Sequence, residues 1–273
     1  MMLTLHMTFT LVNGVFCGIM RGRHGRGRWA EVGTRRDRLR AATVKEISET
    51  ARRILVEEGP EAVTLRAIAR AMGMTAPALY RYFDSHSELL RHLVGDIFTE
   101  LTDDLHSAMH AIEGADMSGK FLAVSRQFRL WALAHPREYA LLFGTPVRGA
   151  ARHEASRYEE TDFAEECARK FGWTFMALFL ELWQKSPFPV PTDEEIAPTL
   201  RPQLLRYRDD VLGVDLPLGV LQQFLKCWIR LQGGVSLEVF GHLEFALDDA
   251  APMFELMLAE VCPTLGLTYT AAS

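Results

Sequence analysis

A short predicted helix presents side chains that could read a DNA duplex: Thr75, Ala76, Pro77, Tyr80 and Arg81. An arginine can form two hydrogen bonds with one guanine, a threonine hydroxyl can bond several bases, and alanine or proline can touch a thymine methyl group. Because half or more of protein–DNA hydrogen bonds go to the sugar–phosphate backbone, a phosphate contact is an equally good interpretation of Arg81. These residue types predict a helix that lies in the major groove.

A preceding helix and a tight turn must hold these side chains outward. Thr64 is a favourable N-cap for that helix, whose predicted buried face consists of Leu65, Ile68, Ala69 and Met72. Gly73 can adopt the left-handed conformation that lets the chain turn sharply. Pro77 is tolerated in the next helix because a first helical turn needs no internal N–H donors. We expect Leu79 and Phe83 to point inward, opposite the DNA-facing side chains.

Charge is divided unevenly along the chain. The 273 residues carry a net charge of −5, which argues against indiscriminate binding to nucleic acid. Residues 21–92 nevertheless contain 15 lysines and arginines against 9 acidic residues, whereas residues 93–273 contain 15 against 26. We therefore expect only the N-terminal third to meet phosphate.

The first 37 residues are interpreted as an extension. Residues 1–20 are apolar and the arginines follow them, whereas a signal peptide carries its positive charge first. We interpret this stretch as the result of a translation start assigned too far upstream, with Met20 as the alternative start. The Arg- and Gly-rich residues 21–38 predict either a disordered tail or a basic arm that enters a neighbouring minor groove.

Helical periodicity dominates the rest of the chain. A first helix is predicted over about 38–58, and Gly59-Pro60 ends it. Further helices are predicted at about 86–112, 119–134, 139–143, 159–184, 218–240 and 250–261, with loops at 144–157 and 186–202. No alternation typical of strands and no repeat is present. The predicted fold class is all-α.

Residues 38–90 resemble the DNA-binding domain of TetR-family transcriptional regulators. The resemblance rests on Gly59, Thr64, Ile68-Ala69, Gly73-Met74-Thr75, Leu79-Tyr80, Tyr82-Phe83 and Glu88-Leu89-Leu90. The C-terminal region resembles a subgroup of this family with a WHG-like ligand-binding domain, through residues 128–146 and 227–243. Together these stretches extend over most of the chain after residue 38.

The resemblance implies three parts of the chain. After the extension at 1–37, a three-helix helix-turn-helix DNA-binding domain would occupy 38–92, and a helical ligand-binding and dimerisation domain would occupy 93–273. The implied function is a homodimeric transcriptional regulator, usually a repressor that a small apolar effector releases from a palindromic operator. A ligand-responsive activator on the same fold is the alternative.

Carried over residue by residue, the resemblance implies DNA contacts at nine positions: Thr64, Arg66, Thr75, Ala76, Pro77, Tyr80, Arg81, Tyr82 and His86. The first two residues and the two tyrosine hydroxyls would approach phosphates, and the side chains of residues 75–77 and 81 would face the groove. Most family members carry a phosphate-gripping lysine where this chain has His86. Histidine is mostly neutral near pH 7, so we expect DNA affinity to rise as the pH falls toward 6.

Two further sets of apolar residues are predicted in the C-terminal domain. A pocket for a mostly apolar effector is predicted from Phe128, Trp131, Phe143, Phe171, Trp173, Phe175, Met176, Phe179 and Trp183, although such aromatic stripes are more often core. A dimer interface on the last two helices is predicted from Leu221, Phe224, Leu225, Trp228, Leu231, Val235, Phe254, Met257 and Leu258. A buried core helix is the alternative interpretation.

Enzymatic and metal-binding functions find little support in the sequence. It contains no HExxH, GxSxG, P-loop or GxGxxG pattern, so we expect no enzyme and no cofactor. The four cysteines (Cys17, Cys167, Cys227 and Cys262) have no zinc-ligand spacing and predict free thiols in a reducing cytoplasm. The expected partners are double-stranded DNA, a small-molecule effector and a second copy of the chain, with no membrane.

Overall fold

The computed structural model describes residues 34–114, 116–144 and 163–272. The predicted extension up to residue 33, with its basic arm, lies outside the described residues, as does the predicted loop at 144–157 after its first residue. The described residues form ten α-helices and no strand, which confirms the all-α prediction.

The helices are numbered in chain order. The first four are α1 (Arg35–Glu58), α2 (Leu65–Ala71), α3 (Ala76–Leu79) and α4 (His86–His110). The other six are α5 (Met117–Ala134), α6 (Pro136–Phe143), α7 (Phe163–Lys185), α8 (Arg201–Arg206), α9 (Leu218–Val239) and α10 (Ala251–Thr264). A 3₁₀ turn, Pro60–Ala62, follows α1, and a π turn, Tyr207–Leu212, follows α8.

Contacts divide the described chain into two compact units. The first unit contains residues 34–99, 137–144 and 163–168, and the second contains 100–114, 116–136 and 169–272. Helix α4 is continuous through the boundary that follows Thr99. The domain limit predicted between residues 92 and 93 stays a prediction.

Helix α1 begins with a capping box. The Thr34 hydroxyl accepts from the Asp37 N–H at 3.3 Å, and the Thr34 N–H donates to the Asp37 carboxylate at 2.9 Å. These bonds satisfy N–H groups that have no helical partner, so the helix begins at Arg35, earlier than the predicted residue 38. The apolar stripe of α1 is buried, as its periodicity predicted: Ile47, Ala51, Ile54 and Leu55.

The turn between α2 and α3 has the left-handed glycine that the sequence predicted. Gly73 has φ = +66°, and the Met74 N–H donates to the Ala69 carbonyl at 2.8 Å. A Cβ at this position would meet no atom within 4 Å. Glycine is therefore required here by the backbone conformation and not by lack of space.

Helix α6 belongs to the first unit because two side chains bind it to α1. Arg137 donates to the Val56 carbonyl at 2.8 Å. The residue four positions after Val56 is Pro60, which has no N–H to offer that carbonyl. Glu138 is 4% exposed and pairs with Arg52 at 3.2 Å. The predicted C-terminal domain, residues 93–273, includes this segment, and no pattern in the sequence indicates its attachment to α1.

Charged pairs connect the helices of the second unit. Arg126 of α5 forms two hydrogen bonds with Glu255 of α10, at 2.9 and 2.6 Å, and the Tyr269 hydroxyl donates to the same carboxylate at 2.8 Å. The hydrogen bond from Arg126 holds the pKa of Glu255 below its ordinary value. Arg129 of α5 donates to Glu238 of α9 at 2.7 Å. Helix α5 is thus fixed to both α9 and α10.

The predicted loop over 186–202 ends two residues earlier than predicted, because a short helix begins there that the sequence pattern did not indicate. Helix α8 begins at Arg201, at the end of the proline-rich stretch predicted as a loop over 186–202. Pro202 lies in the first turn of α8, where a missing N–H breaks no helical hydrogen bond. The many prolines of this stretch predict a loop, although the first turn of a helix accepts proline.

Substitution of Gly73 should destabilise the fold through backbone strain alone. We expect Gly73→Ala to lower the free energy of unfolding by about 1–2 kcal/mol, because an L-residue is strained at this positive φ. Denaturant unfolding followed by circular dichroism measures the loss. Gly73→Asn is the matched variant and should lose less, since asparagine tolerates this conformation better. Equal losses in the two variants would contradict this explanation.

Candidate DNA-binding surface and apolar cavity

The helical turn that begins with α3 is anchored by its inner face. Backbone hydrogen bonds continue past α3, with Tyr82 N–H donating to the Leu79 carbonyl at 2.9 Å and Phe83 N–H donating to it at 3.3 Å. The Leu79 side chain is fully buried and that of Phe83 is 3% exposed. The inward orientation predicted for both side chains is confirmed, and it determines which face of the turn meets solvent.

The opposite face of this turn is exposed. Thr75, Pro77 and Arg81 are exposed, Ala76 is half-buried, and the Tyr80 side chain is 51% exposed. The Thr75 hydroxyl makes no hydrogen bond within the part of the chain that the structure describes, although Thr75 is the N-cap of α3. It is therefore free to donate or accept at a base edge.

Arg40, which the sequence analysis did not select, supports this turn from α1. Its guanidinium lies 5.3 Å from the centroid of the Tyr82 ring, and it donates to the Arg81 carbonyl at 3.1 Å. Both contacts fix the backbone from which the Arg81 side chain projects. No pattern in the sequence distinguishes Arg40 from the arginines beside it.

The residues predicted to touch phosphates are placed around the same turn. The Thr64 hydroxyl accepts from the Ala67 N–H at 3.1 Å, as an N-cap should, and Arg66 is exposed. His86 Nε2 lies 2.5 Å from the Val63 carbonyl. Because a carbonyl oxygen only accepts, Nε2 carries the proton, and Nδ1 is left for another partner. No pattern in the sequence indicates this contact between residues 23 positions apart.

Half of the predicted net positive charge lies before the described residues, because residues 21–33 hold four arginines against one glutamate. Within residues 34–99 there are 11 lysines and arginines against 9 acidic residues. The larger excess over residues 21–92 comes from arginines at positions 21, 23, 26 and 28, which lie outside the described residues. Residues 34–99 therefore carry only a small net positive charge.

The second unit contains a cavity of about 40 Å³ among α5, α7, α9 and α10. Its lining is almost entirely apolar: Met117, Phe121, Val124, Ser125, Phe175, Leu178, Phe179, Leu182, Phe224, Cys227, Trp228, Leu231, Met257, Leu258 and Val261. Burial raises the pKa of Cys227 to about 12, so this thiol is uncharged at neutral pH. None of these lining side chains carries a charge.

Two of the nine residues predicted for the pocket, Phe175 and Phe179, line this cavity. Two others pack elsewhere in the second unit. The Trp131 ring stacks on that of His135 with centroids 4.8 Å apart, and the Trp183 ring contacts that of Phe188 with centroids 5.1 Å apart.

The remaining predicted pocket residues are core or half-buried. Phe143 lies in the first unit against Phe98 and Tyr139. Phe128 and Phe171 pack against Phe175 and Trp228 without lining the cavity, Met176 is 1% exposed, and Trp173 is half-buried. Sequence reasoning missed the contribution of α5, whose Met117, Phe121 and Ser125 gave no distinctive signal.

Most residues predicted for the dimer interface lie inside the single subunit. Six of them are buried: Leu221, Phe224, Leu231, Val235, Phe254 and Leu258. These six cannot add contact area with a second subunit, because the chain's own core already encloses them. Leu225, Trp228 and Met257 are half-buried. The exposed apolar side chains on α9 and α10 are instead Ile229, Leu237, Met253 and Leu256.

The described residues offer neither a membrane span nor a cluster of metal ligands. No helix there is long and apolar enough to cross a membrane. Three or more histidine, cysteine or acidic side chains do not come together there as metal ligands would.

Two family models match the chain. Residues 40–93 match the model described as bacterial regulatory proteins, tetR family, and residues 121–261 match the tetracyclin repressor-like C-terminal domain. The HTH-type transcriptional regulators Rv1816 of Mycobacterium tuberculosis and Mb1846 of Mycobacterium bovis are each 40% identical over 210 residues, which are 77% of this chain and 86% of theirs.

Solved structures agree with these matches. The crystal structure of the regulatory protein SCO4313 superposes with a TM-score of 0.63 at 30% identity, over 84% of this chain and all of that one. A protein of unknown function from Rhodococcus sp. RHA1 shares the fold, with a TM-score of 0.56 at 18% identity over 89% of this chain and 99% of its own. On its helix-turn-helix geometry and these matches, the chain belongs to the TetR family of transcriptional regulators.

Proposed function

We propose that this regulator is a homodimeric repressor that a small apolar effector releases from a near-palindromic operator. The observation that carries the proposal is the exposed turn of residues 75–81, held outward by the buried side chains of Leu79 and Phe83. We also propose that it acts in the cytoplasm. The free thiols of Cys167, Cys227 and Cys262 are consistent with a reducing compartment.

The exposed turn supports the DNA-binding part of the proposal through its chemistry. Arg81 and Thr75 would contact base edges, with Ala76 and Pro77 beside them against thymine methyl groups. Thr64, Arg66, the hydroxyls of the two tyrosines and His86 would contact phosphates and set the register on the duplex. One such turn reads too few base pairs for useful specificity, so a second copy is needed.

The exposed apolar stripe on α9 supports the dimer. Ile229 is 60% exposed and Leu237 is 46% exposed, and they lie two helical turns apart with Gly233 midway between them. Phe240, the C-cap of α9 three residues after Leu237, is 38% exposed. The opposite face of α9 is already buried in the subunit's core. A helix that is apolar on both faces needs a second surface to cover it. We propose that α9 and α10 of a second copy provide that surface.

The cavity of the second unit supports the effector. Effector binding would favour a conformation whose two DNA-binding turns are wrongly spaced for the operator, and DNA affinity would fall. Helix α4 would connect effector binding with DNA binding, since its first turns belong to the first unit and its last turns to the second. If effector instead favoured the DNA-bound spacing, the same fold would act as an activator. Footprinting on the promoter region of the protein's own gene, with and without a ligand panel, separates the two cases.

Arg81 and Arg66 should affect DNA binding in different ways. We expect Arg81→Ala to abolish the preference at one base position in each half-site and to cost about 1–3 kcal/mol of binding free energy. Arg66→Ala is the matched control; it should weaken all sequences alike and reduce the salt dependence. Binding-site selection followed by affinity measurements at several salt concentrations tests both. An Arg81→Ala protein with unchanged preference at every position would assign Arg81 to phosphate.

His86→Lys should strengthen operator binding. Because His86 Nε2–H is held by the Val63 carbonyl, only Nδ1 is left to face a phosphate, whereas a lysine ammonium at this position donates hydrogen bonds and adds a full positive charge. Affinity measurements at several salt concentrations should show tighter binding and a steeper salt dependence for His86→Lys than for wild type. His86→Ala, which adds no charge, is the control and should show neither change. Unchanged affinity and salt dependence in His86→Lys would contradict a phosphate at this position.

Substitution within the exposed stripe should separate the two subunits. We expect the wild-type protein to sediment as a dimer at micromolar concentration and Leu237→Glu to sediment as a monomer with weakened operator binding. Val56→Glu is the control, because Val56 is 45% exposed and lies on α1. A wild-type monomer, or a Leu237→Glu dimer of unchanged affinity, contradicts the proposed interface.

A further inference from the structure

The cavity of the second unit contains a polar group without a partner. Ser125 of α5 lines this cavity and is 2% exposed. Its hydroxyl makes no hydrogen bond with any residue in the described part of the chain. By contrast, the buried Thr174 hydroxyl donates to the Lys170 carbonyl at 3.2 Å, and the buried Gln223 amide donates to Thr264 at 2.8 Å. A buried hydroxyl without a partner is unfavourable, which calls for an explanation of Ser125.

The other lining residues restrict what that partner can be. They are aliphatic, aromatic or methionine side chains, apart from Cys227, whose buried thiol is neutral. A carboxylate or ammonium entering this space would lose its water without meeting an opposite charge, at a high cost in free energy. An entirely apolar ligand would fill the space but leave the Ser125 hydroxyl unpaired. The favourable ligand is uncharged and carries a hydrogen-bonding atom at one point.

We propose that the cavity binds a neutral, mainly hydrocarbon molecule whose single oxygen-bearing group hydrogen-bonds with the Ser125 hydroxyl. This inference rests on the proposal that the cavity is the effector site, and it defines the chemical class of the effector. Ser125 sets the orientation of the ligand, and Phe175, Phe179, Phe224 and Trp228 surround its hydrocarbon part.

The size of the cavity adds a conformational consequence. Its 40 Å³ is well below the roughly 300–1,000 Å³ of ordinary ligand sites. A ligand of ordinary size must therefore separate side chains of α5, α7, α9 and α10 as it enters. Binding then selects a more open arrangement of the second unit, as a ligand-controlled regulator requires.

Matched small probes test the proposal directly on the free protein. Cyclohexylmethanol, methylcyclohexane and cyclohexanecarboxylate share one ring and differ in a neutral hydroxyl, no polar group and a negative charge. Calorimetric titration gives their affinities. We expect the alcohol to bind about three- to tenfold more tightly than the hydrocarbon, the effect of one neutral hydrogen bond. The carboxylate should show no binding.

Three serine variants identify the group responsible. Ser125→Ala should remove the advantage of the alcohol and leave the hydrocarbon unaffected, whereas Ser125→Thr, which keeps the hydroxyl, should retain it. Ser107→Ala, at an exposed serine of α4, is the control. Equal affinity of alcohol and hydrocarbon in wild type, an advantage that survives in Ser125→Ala, tight binding of the carboxylate, or no binding of either neutral probe would each overturn the proposal.

The test separates this inference from the proposed function. Probe affinities are measured without DNA, and operator binding is measured by footprinting without probe. A protein that binds the alcohol through Ser125 but protects no DNA would refute the repressor and leave the ligand class standing. A protein that protects an operator but binds no neutral probe would refute the ligand class and leave the repressor standing.

Discussion

The burial of Leu79 and Phe83 determines the direction of every proposed base contact. Helix α3 has only four residues, and an isolated helix of one turn is unstable in water. Its conformation is therefore maintained by what its inner face packs against. With those two side chains buried in the first unit, Thr75, Pro77, Tyr80 and Arg81 are exposed on the opposite face and Ala76 is half-buried.

The local features of the first unit were predictable because each has a short-range cause. A left-handed turn favours glycine, an N-cap favours threonine, and both residues occur at the expected spacing at Gly73 and Thr64. The attachment of α6 to α1 has no such cause. It depends on a carbonyl that Pro60 leaves without an N–H and on an arginine, Arg137, that follows more than seventy residues later along the chain. Contacts of this kind depend on the tertiary fold, and a periodic pattern in the sequence does not record them.

The cavity shows a second limit of sequence reasoning. Aromatic residues predict a pocket because they suit an apolar ligand. Large rings also pack well against each other, however, and then fill the space themselves. Phe128 and Phe175 meet edge to face, with centroids 6.0 Å apart and an interplanar angle of 84°. The open space lies beside this cluster, where smaller side chains of α5 and α10 contribute. The sequence likewise shows that α9 is rich in apolar residues. It does not show which face of α9 packs into the core of the subunit.

Arg40 changes how substitutions in this region should be interpreted. An arginine near DNA is readily counted as a phosphate anchor, and its loss is then expected to weaken all sequences alike. Here the Arg40 guanidinium is occupied by the Arg81 carbonyl and the Tyr82 ring. If Arg81 reads a base as proposed, a change at position 40 would loosen the backbone from which the Arg81 side chain projects and would therefore alter the base preference. Under that proposal, operator specificity would depend on a supporting arginine of α1 as well as on the side chains that face the groove.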